Sequence, residues 1–291
     1  MVQVLTWNIW GIPFASPKML SRPLSCADHV GELIADGDEL CFVCIQEAWG
    51  WGAGLFWLLL KLAQVAEYLP GYLSLISYPI YTIGALGVLC PVPPRWDPKA
   101  TLAQRVAAAS GRTLNQDIFA VGDRNESQDY CHAILDSGLL LLLTQEPDDS
   151  GFARYKNKSH DDAFANKGYL WAFNANKNVL IVNTHLQAAG GDNVREEQLN
   201  ELRVFLDRFS AEHAGCTIFV AGDFNLAASR IYIAQEHLGL HCLTPPAADD
   251  SLDYVLGNRQ MLGTTTTDSH VVTDIGLSDH PIVQFRSADP V

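Results

Sequence analysis

The stretch Thr217 to Asn225, "TIFVAGDFN", carries more of the fold than any other part of the chain. Thr217 to Ala221 is apolar and β-prone, the composition of a buried strand. Asp223 and Asn225 come directly after it, where the chain leaves that strand. The arrangement recurs in both directions. Asn8 follows the strand-like Val2 to Trp7 and precedes Gly11 and Pro13, which predict a sharp turn. Glu47 follows "LCFVCIQ", and His185 follows "VLIVNT". Asp253 stands at the start of "LDYVL", and Asp279 and His280 precede "PIVQF". Open α/β sheets bind ligands beyond their strand ends, so these groups are expected to converge on one pocket.

Each group alone has an ordinary reading. An Asp or Asn after a strand makes a turn with its own backbone, and a lone His at a strand end is a satisfied structural group. As a set they make consistent chemistry. Hard oxygen donors suit Mg²⁺, two imidazoles suit proton transfer and phosphate contact, and carboxylates orient imidazoles.

Around these points strands and helices alternate, an α/β pattern. Cys26 to Ala35 predicts a helix with Val30, Leu33 and Ile34 on one face, and Leu40 to Ile45 a buried strand. Thr101 to Ala109 predicts a helix, and Gly138 to Leu143 a strand. Tyr169 to Phe173 and Val179 to Asn183 predict a hairpin around "NANKN". Asp192 is expected to cap a helix reaching about Phe209, with Leu199, Leu202, Leu206 and Phe209 as its apolar stripe. The last strands are expected near Asp253 to Leu256, Val271 to Thr273 and Ile282 to Phe285. No short-period repeat interrupts this order.

The stretch Trp49 to Pro94 departs from the pattern. It is rich in Trp, Leu, Tyr, Gly and Pro, and Tyr68 to Pro94 has no charged residue. That run is long enough to span a bilayer, but Pro79, Gly84 and Gly87 spoil a simple membrane helix. Buried core of an insertion and a hydrophobic lid or membrane-dipping surface both stay open. A true span ranks last, because it would interrupt a fold with parts on both sides. "GLFWLLLKLAQV", Gly54 to Val65, adds an apolar helix with Lys61 as its lone charge.

Composition bounds the function. The chain has 291 residues, of which 19 are Lys or Arg and 33 are Asp or Glu, for a formal charge of −14. Such a surface repels polyanions, and no Lys/Arg run offsets it, so a nucleic-acid partner is unexpected. Seven cysteines at irregular spacing make no disulfide framework. Cys41 and Cys44 sit three apart on a strand and so face opposite sides, which makes them core hydrophobes rather than joint metal ligands. Strand-like residues begin at Val2 with no charged n-region, so no signal peptide is read. A cytoplasmic or peripheral-membrane location is expected, with secretion left open by sequons at Asn125 and Asn157.

In order and wording, "NIWGIP", "IQEAW", "NTHLQA", "AGDFN", "LDYVL" and "LSDHPIV" resemble the endonuclease/exonuclease/phosphatase superfamily, whose fold is like pancreatic deoxyribonuclease. The resemblance runs from first strand to last and is poorest over Trp49 to Arg124. It implies a DNase-I-like four-layer sandwich, two mixed β-sheets flanked by helices. The whole chain, 1–291, is then a single catalytic domain with an apolar insertion over about 49–124. "NIWGIP" and "THLQA" are similar to the neutral sphingomyelinase forms of their motifs, and "DDAFANKG" resembles that family's Asp-x-x-x-x-Lys segment at Asp162 and Lys167.

The resemblance implies roles. Glu47 is the principal Mg²⁺ ligand with Asn8 beside it, and Asp279 lies next to the metal and nucleophile. His280 is the general base, with Asp253 fixing its tautomer as an Asp does in a hydrolase triad. Asp223 and Asn225 orient water and bind a phosphoryl oxygen, and His185 donates to the phosphate. His280 and Asp223 both stay open as the proton acceptor. Lys167 is implied to swing between Asp162 and substrate, against the plain alternative of an exposed ion pair of little worth.

The expected activity is Mg²⁺-dependent hydrolysis of sphingomyelin to ceramide and phosphocholine at a membrane surface, with no obligate protein partner. Trp and Tyr in the insertion suit such an interface. A nuclease on the same scaffold is the enzymatic rival. An inositol-polyphosphate 5-phosphatase ranks lower, because that branch carries Cys-Asp-Arg where this chain reads Ser251-Leu252-Asp253-Tyr254. A binding module that lost the chemistry is the remaining alternative.

Overall fold

The computed structural model describes residues 2–9, 21–35, 40–49, 98–122, 136–159, 165–246, 248–258 and 269–287. Two six-stranded sheets form its centre. The first has the strand order β11(Ser269–Thr273), β12(Ile282–Ser287), β1(Val2–Asn8), β2(Leu40–Gln46), β4(Leu140–Leu143), β3(Phe119–Gly122). The second runs β5(Asp149–Arg154), β6(Gly168–Asn174), β7(Val179–His185), β8(Thr217–Asp223), β10(Asp253–Gly257), β9(His241–Cys242). Both sheets are mixed. β1 and β2 are parallel, as are β7 and β8, whereas β12 runs antiparallel to β1 and β10 antiparallel to β8.

Strand periodicity sorts the side chains into layers. Val4, Phe42, Ile181, Phe219, Val255 and Phe285 meet between the sheets. Leu5, Trp7 and Val43 point the other way, onto Val30 and Ile34 of α1(Ser21–Ala35) and Leu102 and Val106 of α2(Pro98–Ala109). On the far side, Leu180, Val182 and Val220 pack on α3(Asp192–Glu212) and α4(Ile231–Leu238). The result is the four-layer α/β/β/α sandwich expected. Cys44 lies in the inter-sheet core and Cys41 in the helix-side core, both free thiols, as strand alternation requires.

α3 is held by its apolar stripe. Leu199, Leu202, Phe205, Leu206 and Phe209 are all buried, each contributing about 2 kcal/mol over exposure. The exposed Arg203–Asp207 pair, at 2.7 Å, adds only about 0.3–0.5 kcal/mol. Asp192 does not cap this helix. The N-cap is Gly191, with no side-chain cap bond. Asp192 sits inside the first turn and pairs instead with Arg195, at 2.9 Å, and Arg230.

Of the apolar stretch 49–124, Trp49 is buried against Gly138, and residues 98–122 supply α2 and the edge strand β3. The uncharged run 68–94, the helix expected over 54–65, the Gly11–Pro13 turn and the Asn125 sequon lie outside the described residues. Among the described residues, no helix is long and apolar enough to cross a membrane.

Strand direction positions the site. β1, β2, β7 and β8 all end at one rim of the sandwich, and the antiparallel β10 and β12 begin there. Along the inter-sheet file of each strand, apolar residues give way to polar ones at that rim. Val4 leads through Thr6 to Asn8, Cys44 to Gln46, Ile181 through Asn183 to His185, and Ala221 to Asp223. Asp253 opens β10 opposite Asp223.

Candidate active site

Six side chains from both sheets meet at this rim. The Asn8 amide nitrogen donates to Glu47 Oε1 at 3.1 Å and to Asp223 Oδ2 at 3.0 Å. His185 Nε2 lies 3.6 Å from the same Asp223 oxygen, and His280 Nδ1 lies 4.0 Å from it. His280 Nδ1 bonds Asp253 Oδ2 at 2.6 Å. Asn8, His185, Asp223 and Asp253 are each at most 3% exposed.

The backbone aims these groups. Glu47 and Asn225 have left-handed φ of 57° and 49°, rare for residues with side chains. Both sit where the chain turns off a strand, and strain of this kind, about 1–3 kcal/mol each, concentrates at functional positions. Asp223 Oδ1 accepts from the Asn225 backbone N–H at 2.8 Å, which ties the "GDFN" turn to its own aspartate. His280 is fixed from the first sheet. Its carbonyl accepts from Trp7 Nε1 at 3.0 Å, and Ser278 Oγ donates to the Asn8 carbonyl at 2.7 Å.

The remaining expected residues divide. Lys167 Nζ and Asn225 Nδ2 both donate to the Leu186 carbonyl, each at 3.1 Å, just past His185. Lys167 is 1% exposed, so the exposed-pair alternative fails for it. Asp162 lies outside the described residues. Asp279 is exposed, and its carboxylate accepts from Ser278 Oγ at 3.2 Å.

Charge and burial compete here. Burial pushes the Glu47 carboxyl up, opposed by the Asn8 hydrogen bond and the Lys167 charge. Burial also raises Asp253, opposed by its bond to His280. For His280, burial is outweighed by the Asp253 hydrogen bond and by the charges of Asp253, Asp223 and Asp279, and the imidazole rises to about 9. His185 goes the other way. Burial, then the positive charges of Lys167 and His280, hold it well below its ordinary range and keep it neutral.

Several of these atoms lack a partner. Glu47 Oε2, Asp253 Oδ1 and His185 Nδ1 are buried without a hydrogen bond, which is costly unless a ligand satisfies them. Asp223, Asp253 and His280 offer ligand atoms within 4.8 Å of one another. Three carboxylates gather here, Glu47, Asp223 and Asp253, and the orphaned oxygens of Glu47 and Asp253 fit a hard divalent cation.

Sequence reasoning missed the layer beneath. Gln46 and Asn183 join the two sheets under the site, and Thr6 supports Gln46. Their positions on the inter-sheet files were the available signal, but each reads locally as an ordinary strand residue.

The chain matches the model of the Endonuclease/Exonuclease/phosphatase family over residues 5–280. Among solved structures, a beta toxin from Staphylococcus aureus with bound magnesium ions is similar at TM-score 0.59 and 14% identity, covering 98% of this chain and 99% of its own. Sphingomyelinase C from Streptomyces griseocarneus is similar at TM-score 0.58 and 16% identity, covering 99% of each chain. TDP2 from C. elegans follows at TM-score 0.54 and 13% identity, covering 98% of this chain and 74% of its own. At these identities the likeness establishes the fold. No curated protein matches the sequence.

Proposed function

The chain belongs to the endonuclease/exonuclease/phosphatase family, and from that premise we propose that it is a Mg²⁺-dependent phosphodiesterase that hydrolyses sphingomyelin to ceramide and phosphocholine. The observation that carries the chemistry is the His280–Asp253 bond at 2.6 Å, joined through Asp223 and Asn8 to Glu47. The sphingomyelinase-like wording around Asn8, His185 and Lys167 and the likeness to a sphingomyelinase C support the choice of substrate.

Glu47 and Asn8, with Asp279 at the rim, would hold the cation, whose chemistry is to neutralise charge on the phosphoryl oxygens and the departing alkoxide. His280 acts as base in its neutral form, which a bound cation would favour by offsetting the carboxylate charges that raise the imidazole. Asp253 occupies Nδ1, which leaves Nε2 to take the proton from the attacking water. The new P–O bond forms as the bond to the ceramide oxygen breaks in line, and that oxygen leaves as an alkoxide that takes a proton from solvent, while His280 returns its own proton to solvent. His185, held neutral, donates to a non-bridging oxygen as charge builds there. Asp223 and Asn225 orient the water, and Lys167 brings a buried positive charge beside His185 and Glu47.

A headgroup-release assay on sphingomyelin, lysolipids and a nicked-plasmid control, with and without Mg²⁺, tests the proposal. Phosphocholine release from sphingomyelin only in Mg²⁺ is expected. Plasmid nicking without lipid hydrolysis would assign the site to a nuclease instead.

A further inference from the structure

Between the sheets, one layer below the site, lies a polar link inside an apolar core. Asn183 Nδ2 donates to the carbonyls of Ile45 and Leu140, both at 3.0 Å, across to β2 and β4. Asn183 Oδ1 accepts from Gln46 Nε2 at 2.7 Å, and Gln46 Nε2 also reaches Thr6 Oγ1 on β1 at 3.0 Å. Asn183, Gln46 and Thr6 are each 0% exposed. One amide on the second sheet is therefore bonded to two neighbouring strands of the first.

Only part of this link is needed for stability: Asn183 serves two backbone carbonyls, whereas the Gln46–Asn183 and Gln46–Thr6 bonds join side chain to side chain. Replacing both partners of a buried hydrogen bond by apolar groups of similar shape is close to neutral. Its place in the sequence points to another use. Gln46 is the residue before Glu47, and Asn183 is two before His185 on the same face of β7. Glu47 and His185 belong to different sheets, and the hydrophobic attraction between sheets is non-directional. Hydrogen bonds fix relative position through their distance and angle.

We infer that Asn183, Gln46 and Thr6 are positioning residues, a cross-sheet latch that fixes Glu47 relative to His185 and Asp223. The inference rests on the function proposed above. Groups that support metal ligands in this way change metal affinity or activity by about 10–100-fold when removed.

The test is the triple variant Thr6→Val/Gln46→Met/Asn183→Leu, which removes the three polar side chains together and leaves the Ile45, Leu140 and Cys44 carbonyls without these donors. Thermal melting, Mg²⁺ affinity by calorimetry, and kcat and KM on sphingomyelin are measured against the parent. The expected result is a folded variant with a lowered midpoint, Mg²⁺ binding weaker by about 10–100-fold, and a fall in kcat with KM little changed. Parent-like Mg²⁺ affinity and kcat in the variant would overturn the latch. If the triple variant does not fold, Gln46→Met, which keeps both Asn183 bonds to backbone, is read by the same measures. Mg²⁺ affinity and melting are read whether or not the parent cleaves sphingomyelin. A parent that binds Mg²⁺ but cleaves no lipid therefore defeats the function and leaves the latch to its own result. A parent that binds no Mg²⁺ overturns both.

Discussion

His280 is gripped by both sheets. Its carbonyl accepts from Trp7 on the first, and its ring nitrogen bonds Asp253 on the second. Ring and carboxylate act as one unit, so their removal is expected to be non-additive. His280→Ala should lower turnover by about 10²–10⁴-fold, the usual worth of a general base. Asp253→Asn should fall in the same range, and the double variant little further. Full multiplication of the two losses would show that they act separately. His185 gives a second prediction at this scale. Its folded pKa lies well below 6.5, so the unfolded chain binds a proton there that the folded chain does not. The stability from a neutral His185 is present above pH 6.5 and is lost as pH falls toward its folded pKa. Glu47 and Asp253, with raised pKa, tilt the profile the other way, so the comparison must be with a variant. Between pH 7.5 and 5.5 in chelator, the parent should lose about 1.4 kcal/mol more than His185→Gln. Equal losses in urea titrations would refute a buried neutral imidazole.

The "GDFN" turn has a physical reason at the element scale. Gly222 has φ of 150°, and a Cβ there would lie 1.9 Å from the Thr184 carbonyl on β7. Glycine lets β8 approach β7 closely, with His185 and Asp223 as register partners at the strand ends. Gly222→Ala should cost about 3 kcal/mol from strain and overpacking, read as a lower urea midpoint. An unchanged midpoint would contradict the close approach. The apolar cores of β1, β2, β7 and β8 were legible because strands buried on both faces read as short continuous apolar runs. β3, β5, β9 and α4 were not predicted. β5, "DSGFAR", is an edge strand with no buried residue and no alternation to read. The capping expectation for Asp192 failed for a related reason, since its partner Arg230 is brought near only by the fold. The site followed the same rule. Groups at strand ends were visible in sequence, whereas Gln46 and Asn183 are 137 positions apart and look like any other strand residues.

The molecule as a whole joins a buried, cation-fitting site to a formal charge of −14. A zwitterionic lipid surface is compatible with that charge, and an anionic one repels it. Adding anionic lipid to sphingomyelin vesicles should slow phosphocholine release at low salt, and about 0.5 M salt should restore it by shortening the screening length. Acceleration by anionic lipid would point to a basic contact surface. The two sheets each hold part of the site: Asn8, Glu47 and His280 belong to the first, and His185, Asp223 and Asp253 to the second. The most direct measurement is a Mg²⁺ titration of phosphocholine release after chelation, on the parent and on Glu47→Gln. Release should fall to background in chelator and return with Mg²⁺, and Glu47→Gln should need at least about tenfold more Mg²⁺ to reach half its maximum. Release that ignores chelation, or a Glu47→Gln variant with the parent's Mg²⁺ requirement, would contradict the account.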